Sequence, residues 1–487
     1  MPRRPAAASS LLVVALAACV ARGAPVAPAA DFAIEHRPDD PVFVSVAGGR
    51  TSVRLRAPDG VVRAARVIAG DDTVPMHVQL AHDGRTTWRA AIARGAARYR
   101  IELRLAAGTR TLGPFDVPAA PFTAVDWVTR AVGYQVFVDR FANGDTTNDA
   151  LGPAGDEWHL VDPSRRGAPP VRAAWDAPPG PSHCCHQWFG GDLAGVRAKL
   201  DHLQALGVTL LWLTPIWRAG SAHGYDTFDY REVAPAFGDA RVLRALLDDA
   251  RARGIRVVWD FVPNHVGVGH AAFRDVVARG DASPYRDWFR LRVPAAQLRI
   301  GDAAHYATFA GAGAMPKLHA APSARAHLME AVRAWTAFGF AGIRVDVPFE
   351  VDDGPGLMRE LRRTAKAIDP AHYLVGEFWQ PAPAWVRGDG LDATMNYAVG
   401  QDVVERFAAG AIAAESAAVR LARVVDAYPE ASVAMAFDVI ATHDTDRLLT
   451  KMGGGALGDV APPAAIARAR LATALLYALP GVPVTFQ

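Results

Sequence analysis

The sequence predicts an α/β protein in which a (β/α)8 TIM barrel follows an N-terminal, immunoglobulin-like β-sandwich. Two patterns predict this class. Residues 31–120 carry short runs of alternating apolar and polar residues separated by turn residues, as in a small β-sandwich. Residues 124–487 carry apolar strands that alternate with helical stretches rich in Ala, Leu and Arg, which indicates βαβ units around a parallel sheet.

Residues 1–30 have the features of an export signal followed by a linker. Arg3 and Arg4 precede an apolar stretch from Leu11 to Ala18 that is too short to span a bilayer. The run ending at Cys19 resembles a bacterial lipobox, in which the cysteine becomes the lipidated first residue. The alternative is an ordinary signal peptide that is cut between Ala21 and Ala30. We therefore expect an exported protein, periplasmic or at the cell surface, that contacts the membrane only through an N-terminal lipid anchor.

Composition and charge exclude several classes of protein. The chain has 487 residues, 51% of them hydrophobic, which is enough for two or three domains. Its formal charge is +2 and its basic residues are dispersed, so nothing indicates a nucleic-acid partner. Adjacent Cys184 and Cys185 cannot supply a disulfide framework. The surrounding run from His183 to His186 lacks the spacers of a tetrahedral zinc site, which favours a plain loop.

The predicted sandwich contains strands divided by clear turns. We expect strands over Val42–Val44, Ser52–Leu55, Val74–Leu80 and Tyr99–Leu103. Turn residues at Pro58-Asp59-Gly60 and His82-Asp83-Gly84 separate them. The domain's role is left open among substrate binding, homodimer formation and packing.

The barrel prediction rests on eight apolar segments with helical spacers between most of them. The strands are expected over Gly133–Val138, Thr209–Leu213, Arg256–Phe261, Gly342–Val347, Tyr373–Glu377, Asp392–Asn396, Met435–Thr442 and Val482–Phe486. Helices are expected over Leu193–Leu206, Ala240–Arg253 and Ala324–Phe338, among others. An excursion over residues 266–322 is far longer than a βα loop requires, and such loops usually shape the substrate site.

Four segments place ionisable residues where predicted strands end. They are DFVPNH around Asp260, GIRVD at Asp346, VGEFW at Glu377 and ATHD at His443-Asp444. In an α/β barrel the chemistry gathers at the carboxyl ends of the strands, so these side chains are expected to line one cleft. Two such carboxyl groups can break a glycosidic bond.

Residues 31–487 resemble the α-amylase superfamily of glycoside hydrolases, in the neopullulanase, cyclomaltodextrinase and maltogenic amylase branch. The resemblance rests on ordered motifs: YQVFVDRFANGD, WFGGDLAGV, HGYDTFDY, DFVPNH, MPKLH, GIRVD, VGEFW and THDTDR. It implies a retaining hydrolase that cleaves α-1,4-glucosidic bonds in maltodextrins, cyclomaltodextrins or pullulan. A transglycosylase or an α-1,6-acting relative on the same scaffold is the alternative within enzymes. A non-catalytic glucan-binding lipoprotein is the alternative outside them.

The resemblance assigns the reacting carboxyls. Asp346 corresponds to the nucleophile, which forms a covalent glycosyl-enzyme. Glu377 corresponds to the general acid/base, and apolar cover from Phe378 and Trp379 is expected to favour its protonated form. Asp444 corresponds to the third acid, which binds sugar hydroxyls in the distorted ring. Arg344, two residues before Asp346, faces the same side of the strand and is expected to keep that carboxylate ionised.

Further residues are assigned to substrate binding. His265 and His443 match histidines that hydrogen-bond the sugar at the cleavage point. Tyr225 matches an aromatic residue that stacks on the same sugar. Trp379 and Arg344 complete the predicted substrate-binding set.

Asp260 and Asn264, in the motif DFVPNH, are expected to brace the loop and strand ends rather than to react.

A loop rich in oxygen ligands suggests calcium. Asn143, Asp145, Asn148 and Asp149 carry the hard ligands that Ca2+ prefers, at a spacing that is not an EF-hand. In relatives such a loop joins the Gly190 carbonyl and Asp192 in a structural Ca2+ site. The alternative is a turn capped by Asn and Asp side chains.

The sequence departs from its relatives in three places. Relatives often read MPKLN and VANE where this chain has Met315–His319 and Val347–Glu350, which leaves the preferred glucan open. Relatives also continue beyond the eighth strand with a further helix and a β-domain. We therefore expect this chain to lack that C-terminal β-domain and to be an incomplete copy of a longer gene product.

Overall fold

The computed structural model describes residues 34–149, 171–174, 177, 187–456 and 459–486. They form two compact units, one built from residues 34–131 with 378–484 and the other from residues 132–377 with 485–486. The export signal, Cys19 and the run from His183 to His186 lie outside the described residues. Within the described part of the chain, no helix has the length and apolar character needed to cross a membrane.

The first unit begins with a strand-rich domain. Its strands are β1 (Val44–Ala47), β2 (Arg50–Pro58), β3 (Val62–Ala69), β4 (Asp72–His82), β5 (Arg85–Ala93), β6 (Arg98–Leu105), β7 (Gly108–Asp116) and β8 (Phe122–Thr123). They follow the order β7-β6-β3-β4-β5-β2-β1-β8. Strand β4 is shared between two layers, because its first half pairs with β3 and its second half pairs with β5.

Alternating residues explain how the two layers share a core. Val53, Leu55, Val67, Ile101 and Leu103 are fully buried in one cluster, and each such side chain contributes about 2 kcal/mol by leaving water. The first strand starts later than predicted. The amides of Phe43 and Val44 both donate to the Asp40 carbonyl, so this stretch turns before it extends.

The second unit contains the first five predicted barrel strands. Its strands are β9 (Gly133–Val136), β10 (Val171–Arg172), β11 (Gln187–Trp188), β12 (Leu210–Leu213), β13 (Trp217–Ala219), β14 (Thr227–Val233), β15 (Arg256–Phe261), β16 (Gly342–Val345) and β17 (Tyr373–Gly376). Five of them form a parallel sheet in the order β17-β16-β15-β12-β9. These five strands are almost wholly apolar and buried, as expected for a parallel sheet with both faces covered.

Helices separate these strands. They are α1 (Val138–Phe141), α2 (Leu193–Ala198), α3 (Leu200–Ala205), α4 (Ala240–Ala252), α5 (Ala271–Arg279), α6 (Pro322–Phe338) and α7 (Gly354–Ile368). The helix predicted over Leu193–Leu206 is divided at Lys199, which leaves helical geometry with ψ 5°. Asp192 caps α2 by accepting from Gly195 N, and Asp239 caps α4 by accepting from Val242 N.

The remainder of the first unit carries the last three predicted barrel strands. Its elements are β18 (Ala393–Thr394), α8 (Tyr397–Val399), a π-helix (Gly400–Glu405), α9 (Arg406–Ala408), α10 (Ala414–Ala427), α11 (Glu430–Val433), β19 (Phe437–Val439), α12 (Leu448–Lys451), α13 (Pro463–Ala478) and the first three residues of β20 (Val482–Phe486). Strands β19 and β20 pair in parallel. Each strand predicted for the barrel is present, several shortened at their ends. The predicted class, a TIM-barrel-like parallel sheet preceded by a strand-rich domain, is confirmed.

Candidate active site

The carboxyl ends of β15, β16 and β17 carry a buried ion cluster in the second unit. Arg344 is fully buried, and its Nη1 donates to Asp260 Oδ1 (2.8 Å) and to Asp346 Oδ1 (2.9 Å). Its Nη2 lies 2.9 Å from Glu377 Oε2, which is an ion-pair contact without hydrogen-bond geometry. Asp260 and Arg344 are register partners on neighbouring strands, so sheet pairing alone brings them together. Three carboxyls from three strands therefore meet at one guanidinium.

Backbone hydrogen bonds hold the two predicted reacting carboxyls in place. The Asp346 amide donates to the Phe261 carbonyl (2.8 Å), which continues the sheet pairing beyond β16. The Val347 amide donates to Glu377 Oε2 (3.0 Å). Val347 has φ 33°, a left-handed conformation that is unfavourable for a β-branched residue. Such local strain is often kept at functional sites, and here it accompanies an N–H directed at the predicted acid/base.

Charge in this cluster is tightly balanced. Burial raises the pKa of Asp346, and the Arg344 guanidinium opposes that rise. Burial likewise raises the pKa of Asp260 to about 6, again against the pull of Arg344. Burial by itself would lower the pKa of Arg344, but the surrounding carboxylates raise it well above its usual value. The guanidinium thus stays charged and stabilises the ionised forms of its partners.

Asp260 links the ion cluster to the predicted sugar-stacking residue. Its Oδ2 accepts from Tyr225 Oη (2.8 Å) and from Trp212 Nε1 (3.1 Å). Together with Arg344, these donors stabilise a carboxylate rather than a carboxylic acid. Sequence reasoning assigned Asp260 only a bracing role and did not identify Trp212. The predicted brace is also the group that fixes the hydroxyl of Tyr225.

His265 is held as a neutral ring. Burial lowers its pKa to about 3. Its Nδ1 faces the Asn264 Nδ2 at 3.1 Å, and its ring stacks on Phe309 with centroids 4.7 Å apart. Because an amide donor faces Nδ1, the proton belongs on Nε2. The Tyr225 backbone also lies against the ring and opposes this lowering of the pKa. Among the described residues the buried Nε2 has no partner with full hydrogen-bond geometry, so it can donate to a sugar hydroxyl.

The other predicted site residues belong to the first unit. His443 Nε2 lies 3.1 Å from Asp444 Oδ2, so the two residues form a pair. The ring of Trp379 stacks on Tyr397, with centroids 4.2 Å apart and 9° between the planes. Tyr397 carried no sequence assignment, because it stands outside every motif that bears an ionisable group.

The predicted calcium loop has oxygen atoms suited to a cation. Asn148 Oδ1 is buried, and no described residue donates to it. Asn143 Nδ2 donates to Asp149 Oδ1 (2.8 Å). Gly190 has φ 85°, and a Cβ there would lie 2.7 Å from Asp149 Oδ1 and 2.9 Å from Asn143 Nδ2. The side chains of Asn143 and Asp149 thus converge on Gly190.

Two acids predicted as calcium ligands have other partners in this structure. Asp192 accepts from four donors, which are the amides of Gly144, Asp145 and Gly195 and the side chain of Asn148. Four hydrogen bonds fill the acceptor capacity of a carboxylate. Asp145 Oδ1 accepts from the amide and hydroxyl of Thr147. Across the described residues, no cluster of three or more His, Cys, Asp or Glu side chains is placed to hold a metal.

An ion pair joins the two segments that depart from the relatives, and further contacts reach Asp352 just beyond them. Lys317 Nζ lies 2.9 Å from Glu350 Oε2. His319 Nδ1 lies 2.6 Å from Asp352 Oδ2, and Arg290 pairs with the same oxygen at 2.7 Å. The MPKLH segment is therefore linked to the chain that follows Asp346.

Comparison with known proteins places the chain in a family. The α-amylase catalytic domain model matches residues 135–487. Neopullulanase 2 from Thermoactinomyces vulgaris is 34% identical over 453 residues, which cover 87% of this chain and 73% of that protein. A cyclomaltodextrinase from Geobacillus thermopakistaniensis is 40% identical over 336 residues, or 68% of this chain and 53% of that protein.

Solved structures agree with this placement. The type III pullulan hydrolase from Thermococcus kodakarensis matches with a TM-score of 0.88 at 42% identity, over 93% of this chain and 80% of that one. A cyclomaltodextrinase structure matches with a TM-score of 0.74 at 31% identity, over 93% of this chain and 77% of that one. The predicted class of enzyme, a glycoside hydrolase of α-amylase type, is confirmed. The chain belongs to the α-amylase family.

Proposed function

We propose that this protein cleaves α-1,4-glucosidic bonds in maltodextrins, cyclomaltodextrins or pullulan, with retention of configuration. The observation that carries the proposal is the fork of Arg344, which brings Asp346 and Glu377 together at the ends of neighbouring strands. Retaining glycosidases need two carboxyls close together, one to attack and one to transfer a proton. Similarity to neopullulanase 2 and to the pullulan hydrolase supports glucans as substrates.

In the first step, Asp346 attacks the anomeric carbon as a carboxylate. The bond from that carbon to the leaving oxygen breaks, and Glu377 gives its proton to the leaving sugar. The product is a covalent glycosyl ester of inverted configuration on Asp346. The contact with Arg344 holds the attacking carboxylate oriented in a buried site.

In the second step, a water molecule enters on the side of the departed sugar. Glu377, now ionised, removes a proton from this water as its oxygen attacks the anomeric carbon. The ester bond to Asp346 breaks and the original configuration returns. A second sugar hydroxyl in place of water would give transfer rather than hydrolysis.

Product analysis tests this function. Purified protein would be incubated with maltohexaose, β-cyclodextrin and pullulan, beside an Asp346→Asn variant. We expect shorter sugars from at least one substrate and none from the variant. Products longer than the substrate would favour the transglycosylase. No turnover of any substrate would overturn the enzyme function for this chain and favour a glucan-binding protein.

We also propose that Asn143, Asn148, Asp149 and the Gly190 carbonyl bind a structural Ca2+. Two observations support this set. Asn148 Oδ1 has no donor among the described residues, and the side chains of Asn143 and Asp149 converge at Gly190. Asp145 and Asp192 would instead hold the loop through the hydrogen bonds they accept. Thermal unfolding with Ca2+ and with a chelator tests the site. Asn148→Ala should remove the shift that Ca2+ produces, whereas an unchanged shift would exclude these ligands.

Export with lipidation at Cys19 is proposed from the sequence alone. Arg3 and Arg4, the short apolar stretch and the position of the cysteine support it. Mass spectrometry of the mature N-terminus would distinguish lipidated Cys19 from a start between Ala21 and Ala30. Dimer formation through the strand-rich domain is a further proposal, which sedimentation of the full chain tests.

A further inference from the structure

Tyr397 contacts two parts of the first unit to which the proposed reaction assigns roles. It follows β18 and is only 2% exposed. One ring face stacks on Trp379, the aromatic residue predicted to contact sugar. Its Oη is hydrogen-bonded to Thr442 Oγ1 at 3.2 Å. A single buried side chain thus touches both the aromatic platform and the residue before His443.

Thr442 in turn shapes the segment that carries the third acid. Its side chain is fully buried, and its Oγ1 accepts from the Asp444 amide (3.3 Å). Its own amide donates to Thr445 Oγ1 (3.0 Å). Asp444 lies in no helix or strand, so these hydrogen bonds, rather than a regular element, support its position.

The backbone around Tyr397 is fastened on both sides to the same strand. The Asn396 amide donates to the Phe437 carbonyl (2.7 Å), and its side chain donates to Asp438 Oδ1 (3.0 Å). Gly400 packs so closely on β19 that a Cβ would lie 1.7 Å from the Val439 carbonyl oxygen. A π-helix begins at this glycine, and such turns often occur at functional sites.

Trp379 shows why a rigid support matters. The residue is 36% exposed, although tryptophan is usually well buried. Stacked on Tyr397 and partly exposed, this residue offers apolar surface that a sugar ring can contact. A fixed platform saves the entropy that a mobile side chain would lose on binding.

We propose that Tyr397 is a positioning residue for the reaction, which fixes the Trp379 platform with its ring and the Asp444 turn with its hydroxyl. The inference rests on the proposed function. Removing the hydroxyl should therefore impair the chemical step, and removing the ring should also impair substrate binding.

Three variants separate the two contacts. Tyr397→Phe keeps the ring and removes the hydroxyl, and Thr442→Val removes its partner at similar shape. Tyr397→Leu removes both contacts. Tyr99→Phe is the matched control, because it removes a buried tyrosine hydroxyl that bonds His36 in the strand-rich domain.

The kinetic readout is the division between kcat and KM on the glucan that the wild type hydrolyses. Tyr397→Phe should lower kcat roughly three- to tenfold, the effect of one hydrogen bond, with little change in KM. The kcat of the double variant Tyr397→Phe/Thr442→Val should be no lower than that of Thr442→Val alone, because the two substitutions remove the same hydrogen bond. Tyr397→Leu should also raise KM. Tyr99→Phe should match the wild type.

Hydrogen exchange supplies a readout that does not need turnover. A peptide covering residues 440–446 contains the Asp444 amide that donates to Thr442. Its exchange should be faster in Tyr397→Phe than in the wild type or Tyr99→Phe, at equal thermal stability.

The outcomes separate this inference from the proposed function. A wild type that hydrolyses no glucan overturns the function. An active wild type whose Tyr397→Phe variant keeps full kcat and unchanged exchange overturns the inference alone. Equal loss of kcat in Tyr397→Phe and Tyr99→Phe, with parallel loss of stability, would also overturn it, because the hydroxyl would then be merely structural.

Discussion

Arg344 Nη1 donates to Asp346 Oδ1 across 2.9 Å, and both side chains are buried at the end of β16. The two residues are separated by one position, so they project from the same face of the strand. Nη2 of the same guanidinium reaches Glu377. A single planar group thus orients the proposed nucleophile and the proposed acid/base.

Arg344→Lys should therefore lose activity although it keeps the charge. A lysine ammonium is a point donor and cannot reproduce the fork that meets carboxyls in two directions. We expect kcat to fall about 100-fold, as small misplacements of reacting groups can produce. Steady-state kinetics and thermal unfolding would measure the change. Arg98→Lys, at an exposed pair with Asp116, is the control. Equal activity in Arg344→Lys and the wild type would show that the contacts of one guanidinium with both carboxyls are not needed for the reaction.

The catalytic activity should fall on the acid side of its pH profile, near pH 6. Burial raises the pKa of Asp260 to about 6, so this carboxyl is ionised only above that pH. Protonation below it removes a charge that holds Arg344 and an acceptor for Tyr225. The profile of kcat/KM against pH should fall as the pH drops through about 6. A profile that stays flat between about pH 5 and 7 would contradict this origin.

Asn264 should control the proton position on His265. Its amide donor faces Nδ1, which leaves the ring proton on Nε2. In Asn264→Asp, a carboxylate would favour a proton on Nδ1 and turn Nε2 into an acceptor. We expect glucan affinity in an Asp346→Asn background to weaken about tenfold, the effect of one lost hydrogen bond. Asn264→Ala, which leaves both tautomers open, should weaken it less, and calorimetric titration would rank the two.

The Asp438→Asn variant should be more stable than the wild type, by a margin that grows as the pH rises. Burial raises the pKa of Asp438 well above its usual range, so the folded protein keeps a proton that the unfolded chain releases near pH 4. Its contribution to stability is therefore full below about pH 4 and declines at higher pH. The variant mimics the neutral form and should gain about 1–3 kcal/mol at alkaline pH. Thermal unfolding across the range would show a widening gap, and a constant gap would contradict it.

Glu430→Gln should weaken the packing of the strand-rich domain within the first unit. Glu430 accepts from Arg89 Nε (2.6 Å) and from Ser52 Oγ (2.6 Å). Although burial opposes it, Arg89 lowers the pKa of Glu430. A lowered pKa means that the ionised carboxylate stabilises the folded protein. This stabilisation is present above the pKa of a glutamate in the unfolded chain, near 4.3, and is lost as the pH falls below that value. We expect a loss of about 1–3 kcal/mol at neutral pH.

Asp116→Asn is the matched control for that variant, because its pair with Arg98 is exposed on both sides. Denaturant unfolding of both variants, at neutral pH and near pH 3, would test the assignment. Equal stability of Glu430→Gln and the control would show that the buried pair contributes nothing.

Much of the site follows from sequence because strands impose their geometry. A parallel strand that ends in Arg344 and Asp346 must present both side chains on one face, and neighbouring strands must bring Asp260 and Glu377 to the same edge. The motifs at the strand ends were therefore enough to predict that these carboxyls share one edge of the sheet and that Arg344 lies beside Asp346, but not that Arg344 also contacts Asp260 and Glu377.

The rest of the site lies on segments whose sequence shows no helix or strand periodicity. Phe309 reaches His265 from the long excursion, where Ala310 adopts φ 48°. Tyr397 is placed by an irregular helix, and no sequence period indicates that its ring meets Trp379. The four donors around Asp192, which was predicted as a calcium ligand, come from separate segments and could not be predicted from the sequence.

Trapping the covalent intermediate tests the central claim most directly. Wild-type protein would be incubated with an activated fluoro-glucosyl fluoride, digested and examined by mass spectrometry, with Asp346→Asn in parallel. We predict one added sugar on the peptide that contains Asp346 and none in the variant. A sugar attached to another residue, or turnover of glucan with full inversion and no adduct, would contradict the assignment of Asp346 as the nucleophile.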